Sequence, residues 1–93
     1  LPLLTFKDFD EVIDRANNND LGLCSYIYTN DLKKANQASE LMETGCVAVN
    51  TAAVAVAEAP FGGIKQTGYG REGGSMAIKD YLNIKYTHFG ISY

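Results

Sequence analysis

Ala59-Pro60-Phe61-Gly62-Gly63-Ile64-Lys65-Gln66-Thr67-Gly68-Tyr69-Gly70-Arg71-Glu72-Gly73-Gly74 holds six of the nine glycines of this chain and one of its two prolines. Glycine at that density marks a backbone that turns repeatedly or passes close to another part of the protein. On the glycines alone the stretch is a long connecting loop. It separates an alternation of strand-like and helix-like segments from a short helical pattern and a terminal strand-like run.

Upstream, Leu3 to Phe6 reads as a short strand, with Pro2 tolerable at its first position. Asp8-Phe9-Asp10-Glu11 is a capping box, with Asp8 as N-cap and Glu11 three residues on. Phe9, Val12, Ile13 and Ala16 then form one apolar stripe of a helix that Asn17-Asn18-Asn19-Asp20 should end. Leu23 to Thr29 is a second strand, apolar enough to expect cover on both faces. Thr29-Asn30-Asp31 offers caps for a second helix whose buried side would be Leu32, Ala35, Ala38 or Ser39, and Met42. Gly45 stands where a left-handed C-terminal glycine belongs, and Cys46 to Asn50 is a third strand. The order is βαβαβ, which predicts a parallel α/β arrangement. Thr51 to Ala57 predicts a loop packed against protein.

Downstream, Ser75 to Leu82 has room for about two helical turns. Ile84-Lys85-Tyr86-Thr87-His88-Phe89 is rich in β-formers. A lone terminal strand is a sticky edge unless another sheet accepts it, so it is expected to be donated, the alternative being closure on this chain's own sheet.

Ninety-three residues allow one small domain, and 46% hydrophobic content is that of a globular chain. The net charge of −3 is spread along the sequence, with Lys33-Lys34 the only adjacent basic pair, which argues against a nucleic-acid partner. No apolar run reaches membrane length. Two cysteines without CxxC spacing suggest a reducing, cytoplasmic setting. Leu1 is not Met, and an apolar run begins at once, so the chain is expected to be cut out of a longer one.

Candidate chemistry is sparse. Gly68-Tyr69-Gly70-Arg71-Glu72-Gly73 matches GxGxxG, but no strand leads directly into it, and no acid follows between Leu82 and Tyr93. Cys24 and Cys46 sit in apolar strands, the setting of inert buried thiols. His88 is the only histidine, and one His with two scattered Cys makes no tetrahedral metal site. No residue here is expected to be catalytic, to hold a cofactor or to bind a metal.

The order of the other residues around the glycines is more specific. Pro60-Phe61-Gly62-Gly63, with Lys65, Gly68 and Gly70-Arg71-Glu72, resembles the C-terminal signature of the NAD(P)-dependent aldehyde dehydrogenase superfamily. Asn19-Asp20-Leu21-Gly22-Leu23 and Gly45-Cys46-Val47-Ala48-Val49-Asn50 are similar to two further family segments, although an aromatic residue is commoner where Leu21 stands. Asp80-Tyr81-Leu82 before Ile84-Lys85-Tyr86 resembles the succinate-semialdehyde dehydrogenase branch.

The resemblance implies that residues 1–82 are the last part of the catalytic domain and residues 83–93 the final strand of an oligomerisation element. The nucleophilic Cys, the general base and the NAD or NADP site would lie upstream, so this piece alone should oxidise no aldehyde. The implied reaction is thiolate attack on the aldehyde, hydride transfer to NAD(P)+ and thioester hydrolysis. Phe61 matches the aromatic wall of the family's substrate tunnel. Ala55 matches a position that in succinate-semialdehyde dehydrogenases often carries a Ser holding the distal carboxylate, a bond Ala cannot donate. Implied partners are a small aldehyde substrate and further copies of the chain, joined through the terminal strand. The alternatives are a dehydrogenase for another small aldehyde, or a non-catalytic α/β binding or scaffold module.

Overall fold

Helix α1 (Phe9–Asn17) begins where the capping box places it: the Glu11 amide donates to Asp8 Oδ1 at 2.8 Å. The return bond of the box falls one residue early, because the Glu11 carboxylate accepts from the Lys7 amide at 3.4 Å. The asparagines end the helix and also tie it down. The Asn17 side chain donates to Leu41 O at 2.8 Å and accepts from the Glu43 amide at 2.9 Å.

The computed structural model describes residues 1–92. After α1 come β1 (Leu21–Gly22), β2 (Cys24–Ile27), α2 (Leu32–Leu41), β3 (Cys46–Val49), β4 (Ile64–Lys65) and a 3-10 helix (Ala77–Tyr81). Asp31 caps α2, accepting from the Lys34 amide at 3.1 Å. β2 and β3 pair in parallel across α2, in the register Cys24↔Cys46, Ser25↔Val47, Tyr26↔Ala48 and Ile27↔Val49. Buried Ala35 and Ala38 let α2 lie close on the pair, and among the described residues Ile13 and Ala48 are buried apolar side chains with them. Asn50, at φ 56°, extends the ladder with its side chain, donating to Thr29 O and accepting from Thr29 N–H, both at 2.9 Å. Asn tolerates this left-handed conformation better than most residues.

The α/β class stands, but several expected elements differ. Leu3 to Phe6 forms no strand and lies exposed, so βαβαβ is reduced to one βαβ unit. The Thr5 carbonyl is taken instead by Arg15 Nη1 at 3.0 Å. Tyr26 and Tyr28 on and beside β2 are exposed, so the strand is not covered along its length as its apolar run led one to expect. Leu32 is exposed, since the alanines set the α2 contact line. Thr51 to Ala57 is almost wholly exposed rather than packed. Ser75 to Leu82 forms the five-residue 3-10 helix instead of two α-turns.

Ile84 to Phe89 makes no ladder with this chain, and Ile84, Tyr86 and Phe89 are exposed. The alternative, closure on the chain's own sheet edge, does not occur among the described residues; Tyr93 lies outside them. The dimensions are 76 × 27 × 25 Å and the radius of gyration 19.1 Å. A compact chain of this length would have a radius near about 12 Å. Among the described residues, no helix is long and apolar enough to cross a membrane.

Candidate functional site

Phe61 stands at the head of the glycine region, where the backbone is held on several sides. Its amide donates to Glu72 O at 2.6 Å and its carbonyl accepts from the Glu72 amide at 2.7 Å, a closed antiparallel bridge. Arg71 then braces both ends of the turn: Nη1 donates to Gly63 O and to Gly70 O, each at 2.8 Å. The Arg71 amide donates to Asp80 Oδ2 at 2.8 Å, which joins the 3-10 helix to the turn. Gly68, Gly70, Gly73 and Gly74 all have positive φ, so the repeated turning expected of this stretch is what it does.

Behind the turn, β1 and β4 pair antiparallel with Leu21↔Lys65 and Gly22↔Ile64. The Gly22 amide donates to Thr67 Oγ1 at 2.7 Å. Lys65, at φ 57°, sends its ammonium to Asn17 O at 3.0 Å, Asn19 O at 3.3 Å and the Glu43 carboxylate at 2.7 Å. The carbonyl end of α1 is the negative end of its dipole, so a cation there is favourable. Nothing in the sequence marked Lys65 for this role, because the three oxygens lie over twenty positions away.

Gly45 was expected at a left-handed helix end. The C-cap is Met42 in an extended conformation, and Gly45 has no positive φ. It is glycine because β3 starts against the Phe61 turn: a Cβ on Gly45 would overlap the Gly62 carbonyl and lie 2.8 Å from Gly63 Cα.

Phe61 is half-buried and lines a cavity of about 290 Å³ with Leu23, Tyr69, Arg71, Asp80 and Tyr81. Ala55 is exposed on the preceding loop and does not line that cavity, so the two expected substrate residues are not brought together within this chain. The fold has no strand running into Gly68 and no helix opening at Gly73, which suits neither a pyrophosphate nor a dinucleotide. Cys24 and Cys46 are half-buried rather than fully enclosed, and they are register partners. Burial, and then the Cys46 thiol beside it, push the Cys24 thiol above its ordinary value. His88 Nδ1 lies 3.1 Å from the exposed Tyr86 hydroxyl. Among the described residues no three His, Cys, Asp or Glu side chains gather to hold a metal.

Residues 1–87 match the aldehyde dehydrogenase family. A 3-sulfolactaldehyde dehydrogenase of Pseudomonas putida is 51% identical over 89 residues, 96% of this chain and 18% of that protein. The NADP+ succinate-semialdehyde dehydrogenase of Escherichia coli K12 is 46% identical over 90 residues, 97% of this chain and 19% of that protein. A crystal structure described as an E. coli NADP-dependent enzyme superposes with a TM-score of 0.89 at 46% identity, covering 97% of this chain and 19% of that one. The chain thus spans about a fifth of the length of the relatives it matches.

Proposed function

Since this chain belongs to the aldehyde dehydrogenase family, we propose that it serves in oxidising an aldehyde that carries a distal acid group, of which succinate semialdehyde is the type. Its own part is to wall the substrate tunnel and to join subunits. The observation that carries this reading is the braced turn at Phe61, which holds a flat apolar side chain in the wall of a cavity. Such a wall orients the aldehyde and keeps bulk water from the reacting carbon.

The nucleophilic thiol and the NAD(P) site are assigned to a part of the enzyme beyond this chain. A Cys24 thiol pushed up by burial is a poor nucleophile at neutral pH, and the glycine turns do not fit a dinucleotide. An acid-bearing aldehyde is favoured by the relatives: the names of both include an acidic group, a sulfonate in one and a carboxylate in the other.

Ala55 is assigned to the distal end of the substrate, and its exposure here leaves room for that contact. In the enzyme that carries this chain, Ala55→Ser adds a hydroxyl donor that only an acid-bearing substrate can use. A hydrogen bond to a charged group contributes roughly 1.5–3 kcal/mol before desolvation is subtracted. The expected result is a modest rise in kcat/KM for succinate semialdehyde and none for an uncharged aldehyde of equal length. Steady-state kinetics on that pair is the test, and equal changes on both would remove Ala55 from the acid end.

The exposed run from Ile84 to Phe89 is assigned to a second copy of the chain, as a strand added to its sheet. Sedimentation should show an assembly that dissociates when residues 83–93 are deleted. An intact chain that sediments as a monomer at micromolar concentration would count against the assignment.

A further inference from the structure

We propose that Cys24 and Cys46 form a reversible disulfide within one chain when a peroxide is present, and that this bond releases the Gly62 carbonyl beside Phe61.

The two cysteines lie 22 residues apart in sequence and directly opposite each other in the parallel ladder of β2 and β3. Neighbouring strands run about 4.8 Å apart. That spacing falls within the roughly 4.4–6.8 Å between Cα atoms that a disulfide bridges. Register partners in a ladder send their side chains to the same face, so both sulfurs emerge together. The Cys46 amide donates to Leu23 O at 3.0 Å, which locks the ladder at this pair. Neither thiol is sealed in the interior; both are half-buried, which leaves a path for a small oxidant.

The position of Cys46 connects the pair to the rest of the fold. Its thiol donates to Gly62 O at 3.6 Å, across the junction where Gly45 meets the Phe61 turn. In the reduced chain this weak S–H bond is one of the ties between β3 and the turn. A disulfide has no S–H, so the Gly62 carbonyl loses that donor when the bond forms.

The chemistry balances in two steps. One thiolate attacks a peroxide oxygen; the O–O bond breaks, a sulfenic acid forms and one water leaves after protonation. The second thiol then attacks the sulfenic sulfur, the S–S bond forms, the S–O bond breaks and a second water leaves. Two thiols give up two electrons and two protons, and hydrogen peroxide becomes two waters.

The test treats the chain with hydrogen peroxide and follows intact mass, non-reducing gels and cysteine-containing peptides. The expected product is a monomer lighter by two hydrogens, with the Cys24 and Cys46 peptides joined and separated again by dithiothreitol. Bridging should be at least about tenfold faster in native buffer than in concentrated urea, where only random closure of the intervening loop brings the thiols together. In Cys24→Ser the second step is blocked, and dimedone should trap a sulfenic acid on Cys46. Equal rates in buffer and urea, disulfides that join two chains only, or oxygen adducts without a bridge would overturn the proposal.

Discussion

Phe61→Ala, made in the enzyme that carries this chain, should lower kcat/KM about a hundredfold, for short and long aldehydes alike. Misplacing a reacting group by about 1 Å costs on that order in rate, and if Phe61 has the proposed role, removal of the ring takes away the wall that would set the aldehyde's position. The backbone at Phe61 should not move, because the Glu72 bridge and the Arg71 clamp do not involve the ring. Stability should therefore fall by less than the roughly 3–5 kcal/mol that truncating a fully buried Phe costs, since Phe61 is only half-buried. Phe61→Leu, which keeps an apolar surface there, should recover much of the rate. A variant that loses its fold and its activity together, or one whose kcat/KM is unchanged, would show that Phe61 packs the loop and does not face the substrate.

Gly45→Ala should be the most destabilising single-methyl substitution in the chain. The added Cβ would overlap the Gly62 carbonyl and press on Gly63 Cα, both backbone atoms that cannot rotate away. Overpacking of this kind costs typically about 1–3 kcal/mol and occasionally more; with main-chain atoms as neighbours the upper end is expected. β3 would have to back away from the Phe61 turn, so the cavity beside Phe61 should open as well. Gly90→Ala is the control, because nothing lies within 4 Å of a Cβ at Gly90 and its φ is not positive. Urea midpoints compare the two. If Gly45→Ala unfolds at the same midpoint as Gly90→Ala, the close approach of β3 to the turn is not a feature of the folded protein.

Local signals in the chain suffice wherever a few neighbouring residues decide the outcome. Asp8 and Asp31 cap the two helices because an N-cap bond spans only three residues. β2 and β3 follow from β-branched and apolar runs on either side of an amphipathic helix. The glycines turn because a missing Cβ permits positive φ wherever the neighbours lie. The arrangement of residues around them was enough to identify the family.

The errors have a common physical origin. Leu3 to Phe6 has the composition of a strand, but a strand needs a partner for its amides and carbonyls, and among the described residues it finds none. Leu32 fits the helical stripe yet is exposed, because the small Ala35 and Ala38 on that stripe set how closely α2 approaches the sheet; Met42 is half-buried.

By itself, then, the sequence determined the caps, the turns, the α/β class and the family, all of which rest on short-range sterics and hydrogen bonds or on the order of residues. Only the tertiary structure decided that Gly45 is a packing glycine, that Lys65 closes the end of α1, that Arg71 braces the Phe61 turn, and that Cys24 faces Cys46. Each of those depends on backbone brought together from distant positions, or on which atoms lie across a turn. Such distances are set by how strands and helices pack, not by the residues on either side in the chain.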